Sequence, residues 1–181
     1  MIESEIKIPV PDLTPIRHRL EQAGGRRLAD ALLETNILFD TADGELAGSG
    51  RVLRLRRIGD RRVMTYKDRA TMNGAVKQRR EIELDIGSVE RMTELLGALG
   101  FAPSIRYQKW RESWHWSAIR VELDHTPMGD FVELEGDADR LEDAARRLGL
   151  EPGNAVAGSY IELWIEHRRR RPDAGRDMVF E

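Results

Sequence analysis

The sequence predicts an α+β fold dominated by an antiparallel sheet of about eight strands. Three observations carry this. Segment after segment alternates apolar and charged residues with period two, the signature of strands. Short polar turns join most of these segments, as in hairpins. Helical spacing appears only four times, twice between strands and twice near the end.

Residues 2–8 (IESEIKI) alternate strictly, with Ile2, Ser4, Ile6 and Ile8 on one face and Glu3, Glu5 and Lys7 on the other. Pro9 and Pro11 end that strand, because proline has no N–H for a ladder. Asp12 can cap a helix to about Ala23, with Leu13, Ile16 and Leu20 at helical spacing and Gly24-Gly25 as its stop. A strand over about 26–39 leads into a polar, glycine-rich loop at 40–50. Residues 51–58 and 61–68 form a hairpin about Gly59-Asp60. A polar loop at 69–75 contains Asn73-Gly74, and residues 77–86 alternate again. Ser88 can cap a helix over about 89–99 that Gly100 ends. Strands follow at about 103–116, 118–126 and 131–136, then helices at about 137–148 and 158–167. Residues 1–166 read as one domain, and the aperiodic 167–181 as a mobile tail.

Composition excludes several classes. The 181 residues include no cysteine, so disulfides, zinc knuckles, iron–sulfur clusters and thiol catalysis are out. No apolar run approaches the ~20 residues of a membrane span, and the N-terminal ten residues lack a secretory pattern. A cytoplasmic protein with no membrane contact is expected. Charged residues make up 34% of the chain, yet 29 Lys+Arg against 32 Asp+Glu leave a net charge of −3. That balance excludes a simple basic nucleic-acid binder and a simple acidic tail.

The strands place these charges unusually. Their polar faces read Glu3/Glu5/Lys7, Arg54/Arg56, Thr65/Lys67, Arg79/Glu81/Glu83/Asp85, Lys109/Arg111, Glu122/Asp124 and Glu133/Glu135. One reading is a sheet with a wet face whose charges pair across strands. The sharper reading is a barrel with the charged face inside and helices covering an apolar outside. Lysines and arginines in such a lumen suit a polyanion. Carboxylates there would repel it unless a hard cation such as Mg²⁺ or Mn²⁺ lay between. The four histidines, His18, His115, His125 and His167, lack metal-ligand spacing, and no P-loop occurs. Trp110, Trp114 and Trp116 share a strand face and are expected to pack under a helix. The run 167–171 (HRRRR) reads as a solvated helix end.

These residues resemble the CYTH family, the triphosphate tunnel metalloenzymes. Glu3-Ser4-Glu5-Ile6-Lys7 looks like its N-terminal Glu-x-Glu-x-Lys. TNILFDT (35–41), Leu53-Arg54-Leu55-Arg56, Thr65-Tyr66-Lys67, Arg80-Glu81-Ile82-Glu83 and Lys109-Trp110-Arg111 resemble successive strands of that family. Glu122-Leu123-Asp124, the segment Gly129 to Glu135, and Ser159-Tyr160 resemble the end of its barrel and its last helix, so the matches run in order over residues 3–163.

The resemblance implies an eight-stranded antiparallel tunnel that binds a triphosphate with Mg²⁺ or Mn²⁺. Carried over by position, Glu3, Glu5, Glu133 and Glu135 would hold or orient metal and serve catalysis, with Asp124 beside them. Lys7, Arg54, Arg56, Lys67, Lys109 and Arg111 would grip phosphates, and Glu81 would line the tunnel. The substrate would be a small triphosphate: ATP, tripolyphosphate or thiamine triphosphate. Nucleic acid is not expected, and a homodimer stays open. Thr65-Tyr66-Lys67 and Lys109-Trp110-Arg111 lean toward class IV adenylate cyclases, which make cyclic AMP and pyrophosphate. A triphosphate hydrolase is the alternative, and a non-catalytic polyphosphate binder a third. Fold alone does not separate them.

Overall fold

The computed structural model describes residues 2–181. Nine strands and five helices follow in the order β1 (Ile2–Val10), α1 (Thr14–Gln22), β2 (Arg26–Asp40), α2 (Glu45–Gly48), β3 (Val52–Ile58), β4 (Arg61–Lys67), β5 (Thr71–Asn73), β6 (Val76–Asp85), α3 (Val89–Ala98), β7 (Ala102–Trp116), β8 (Ile119–Thr126), β9 (Gly129–Glu135), α4 (Ala138–Arg147) and α5 (Tyr160–Arg170). A 3₁₀ turn at Pro152–Asn154 precedes α5.

Eight strands close into an antiparallel barrel. Neighbours run β1-β9-β8-β7-β2-β3-β4-β6, and β6 returns to β1. The closing register pairs Glu3 with Arg79 and Glu5 with Lys77. The ninth strand, β5, lies where a polar loop was expected and pairs only with the start of β6, Val76 to Gln78. Three residues carry too little periodicity to be read as a strand.

The turns follow local chemistry. Ser88 accepts from the Arg91 N–H, and Ser159 with Glu162 forms a capping box that starts α5. Asp12 accepts from the Thr14 N–H at 2.8 Å, just before α1. The β7–β8 hairpin turns on Ser117 and Ala118, both left-handed at φ 51° and 62°. Such two-residue turns favour Asn or Gly, so this pair is strained.

The apolar faces of the strands point outward and the helices cover them. Under α1 and α4, Ile6, Ile8, Trp114, Val121, Val132 and Leu134 pack on Ile16, Leu20, Leu141 and Leu148. Leu141 is fully buried, so Leu141→Ala should cost about 2–5 kcal/mol. A second cluster joins α2 and α3 to β2 and β3 through Leu46, Leu96, Phe39, Leu53 and Leu55. A third lies instead on the inward side, where α5 packs against Tyr107, Phe131 and Met178.

Two expectations differ from the structure. Trp114 and Trp116 do pack beneath helices, but Trp110 is 43% exposed and joins none of the three clusters among the described residues. The end of the tail is docked: Met178 bridges to Tyr107 in parallel and is fully buried. The apolar residues Met178, Val179 and Phe180 follow a polar stretch too short to show a period. Among the described residues, no helix is long and apolar enough to cross a membrane.

Candidate active site

Inside the barrel lies a cavity of about 900 Å³. Because side chains alternate across a strand, the inner faces are those the charge pattern marked. Ten lysine and arginine side chains and seven glutamates line the space. The lining itself therefore carries a small excess of positive charge, in a chain that is net negative as a whole.

One side of the cavity carries carboxylates. Glu5 faces Glu135 across the β1–β9 ladder, and Glu3 stands two residues along β1. One oxygen from each of Glu3, Glu5 and Glu135 falls within 4.8 Å of the others. Burial raises the Glu3 carboxyl to about 9, with its hydrogen bond to Glu81 adding to the effect. Burial raises Glu135 to about 7, and Glu133, Glu122 and Glu5 outweigh the help of Arg111. Glu5 moves the other way, because Lys7, Lys77 and Arg79 outweigh its burial. Three converging hard oxygens, two of them reluctant to ionise alone, fit a divalent cation such as Mg²⁺ or Mn²⁺.

The cations form two groups. Arg54 donates from Nη1 to the Tyr107 hydroxyl at 3.1 Å and from Nη2 to Thr65 Oγ1 at 3.2 Å. Arg56, two residues along β3, reaches Glu34 and Glu83 at 3.4 and 3.1 Å. Lys67 pairs with Glu81, which also binds Arg79 at 2.8 Å. On the other side of β2, Lys109 and Arg111 of β7 hold Asp124 at 2.8 and 2.6 Å. Arg111 also bonds Glu133, and Lys7 approaches Glu133 at 3.3 Å. Burial would raise the Glu133 carboxyl, but Lys109, Arg111 and Lys7 hold it well below the ordinary range.

The five acids named from the sequence therefore separate by environment. Glu3, Glu5 and Glu135 converge. Glu133 and Asp124 sit among cations, and Asp124 accepts a further bond from the Tyr160 hydroxyl at 2.6 Å. The six phosphate-grip candidates all line the cavity, as does Glu81.

Other inner residues escaped the sequence reading. Glu34 and Asn36 continue the inner face of β2, and Glu34 is held at about 2 because Lys109, Arg111, Arg56 and Arg54 outweigh its burial. Asn36 opposes Arg56 in register, yet its amide atoms, Glu34 Oε2 and the Nε atoms of Arg54 and Arg56 make no hydrogen bond among the described residues. Such buried groups call for water or a ligand oxygen. Lys77 and Tyr107 each lie two residues before a marked inward charge, and that spacing is the signal that could have found them.

At one end, α5 closes the barrel. Lys7 Nζ donates to the Gly158 carbonyl at 3.2 Å. Lys7 and Lys109 lie over the Tyr160 ring at 4.1 and 4.7 Å from its centre.

The CYTH domain family model matches residues 1–160. A protein named as a candidate adenylate cyclase in Methanocaldococcus jannaschii is 26% identical over 174 residues, covering 90% of this chain and 98% of that protein. Another so named, from Vibrio parahaemolyticus, superposes with a TM-score of 0.81 at 19% identity, over 91% of this chain and 98% of that one. A Hippeastrum structure, named as a candidate adenylyl cyclase with a dominant triphosphatase activity, gives a TM-score of 0.66 at 20% identity, over 91% and 96% of the two chains.

Proposed function

The chain belongs to the CYTH domain family, and from that premise we propose that it is a metal-dependent phosphoryl-transfer enzyme acting on ATP in the manner of a class IV adenylate cyclase. The observation that carries this is the convergence of Glu3, Glu5 and Glu135 inside the same cavity as ten cations. Phosphoryl transfer asks the protein for positioning and charge stabilisation more than covalent chemistry. Arg54, Arg56 and Lys67 on one side and Lys7, Lys109 and Arg111 on the other would grip the phosphates. Glu3, Glu5 and Glu135 would hold Mg²⁺ or Mn²⁺, which when bound neutralises phosphate charge and activates a nucleophile. Asp124 and Glu133 would keep Lys109, Arg111 and Lys7 aimed inward.

In the cyclase reaction the ribose 3′-hydroxyl oxygen attacks the α-phosphorus. The bond to the bridging oxygen breaks, leaving cyclic AMP and pyrophosphate. The second reading is hydrolysis of a triphosphate, with water as the nucleophile. The dominant triphosphatase activity of the Hippeastrum protein favours it.

Product analysis with ATP, tripolyphosphate and thiamine triphosphate, each with Mg²⁺ or Mn²⁺, tests both. Cyclic AMP supports the cyclase, and orthophosphate from tripolyphosphate supports the hydrolase. Tight binding without turnover overturns both in favour of a polyphosphate binder. Glu5→Gln and Glu135→Gln should each abolish metal-dependent turnover; activity surviving in both would remove the metal assignment.

A further inference from the structure

The last residues of the chain lie beyond the matched family region, which ends at residue 160, and they are not loose. Strand β7 pairs with β2 along its length, but β8 reaches only Trp110 to Trp116. The other edge of β7 near Tyr107 is taken by the tail. Met178 donates to the Arg106 carbonyl at 3.0 Å, and the Gln108 N–H donates to the Met178 carbonyl at 2.8 Å. The Arg106 N–H donates to Asp177 Oδ1 at 2.9 Å, and Trp164 Nε1 of α5 donates to the Arg176 carbonyl at 3.1 Å. Phe180 stacks on His125 at 5.5 Å.

The Met178 side chain is fully buried in a cluster with Tyr107, Phe131, Tyr160 and Trp164. Two of these rings end in the cavity. The Tyr107 hydroxyl holds Arg54, and the Tyr160 hydroxyl holds Asp124, the partner of Lys109 and Arg111. The tail thus touches no cavity charge itself, yet it backs both phenols that orient the cations.

We propose that residues 176–180 form a latch whose key positioning residue is Met178. It clamps α5 against β7 and so fixes Tyr107 and Tyr160, and through them the anion grip at the closed end of the tunnel. This rests on the triphosphate reading for its ligand, but its mechanical part does not. Releasing the latch would wet the β7 edge, free the first turn of α5 and let Arg54 and Asp124 lose their phenol partners.

The test uses the full chain with Met178→Asp, Trp164→Phe and Met178→Leu. Tripolyphosphate affinity with Mg²⁺ is measured by calorimetry well below the melting transition, and amide exchange is followed at residues 159–162. Met178→Asp should weaken binding about tenfold, the scale of losing a hydrogen bond to a charged group. It should also speed exchange at 159–162 while leaving the β3–β4 hairpin protected. Trp164→Phe should act in the same direction more weakly, and Met178→Leu should restore wild-type behaviour. A tail that only stabilises would raise exchange everywhere alike and leave affinity unchanged, and that result overturns the latch. If the wild-type chain does not bind tripolyphosphate, the triphosphate reading fails. Exchange at 159–162 then decides the latch alone: selective acceleration upholds it and none overturns it. If Met178→Asp does not fold, the Trp164→Phe exchange pattern decides by the same criterion.

Discussion

Replacing Glu135 by glutamine should make the metal-free protein more stable at neutral pH than the natural one. The carboxyl is buried beside Glu133, Glu122 and Glu5, and its proton is held until about pH 7 instead of 4.5. Between those values the folded chain binds more protons than the unfolded chain, so stability falls as pH rises through that window. At about 1.4 kcal/mol per pH unit the interval is worth about 3 kcal/mol. Glu135 is only partly shielded at the cavity surface, so about 2 kcal/mol is the reasonable expectation. Glutamine cannot ionise and removes this slope. The assay is urea unfolding in EDTA at pH 5 and pH 7.5. With a urea slope of about 2 kcal/mol per molar, the midpoint of the natural chain should drop by about 1 M relative to Glu135→Gln between the two pH values. Saturating Mn²⁺ should abolish the drop, because the cation holds the carboxylates ionised. Equal pH dependence of the two chains in EDTA would refute the claim that Glu135 is forced to keep its proton.

Arg54→Ala should weaken tripolyphosphate roughly 10–100-fold while barely affecting orthophosphate; calorimetry with both anions checks this, and equal losses would count against a multi-phosphate grip. Glu34→Gln should blunt acid unfolding. Glu34 is held at about 2 in the fold against an ordinary 4.5, so its contribution is full above 4.5 and lost as pH falls toward 2. An unchanged acid transition, followed by circular dichroism, would count against the pairing with Lys109 and Arg56. Ala118→Gly should raise stability by about 1 kcal/mol by relieving the left-handed strain in the β7–β8 turn; a lower urea midpoint would contradict that backbone.

Period two revealed which strand residues share a face, and this made the barrel interior legible. Glu3, Glu5, Arg54, Arg56, Lys109, Arg111, Glu133 and Glu135 all face the cavity as their spacing required. Periodicity says nothing of height along the tunnel axis or of the neighbour across it. Glu133 and Glu135 look alike in the sequence, yet one sits among Lys7, Lys109 and Arg111 and the other beside Glu3 and Glu5. Glu34 was hidden, and Asn36 was quoted within TNILFDT without a role, because β2 lacks clean alternation around register shifts near its start. The docked tail was hidden because a single bridge leaves no period.

The ring closure reaches back to synthesis. Strand β1 is made before the other strands of the barrel, but both of its ladders wait for later partners: β6 at Val76–Asp85 and β9 at Gly129–Glu135. Until about residue 135 has emerged, Glu3, Glu5 and Lys7 stay on a strand with at most one neighbour. Contacts this distant in sequence slow folding, and an unpaired strand invites wrong partners. The stave that completes the barrel is therefore the earliest of the ring to be made, and the step that closes the ring is the same one that gathers Glu3 and Glu5 beside Glu135.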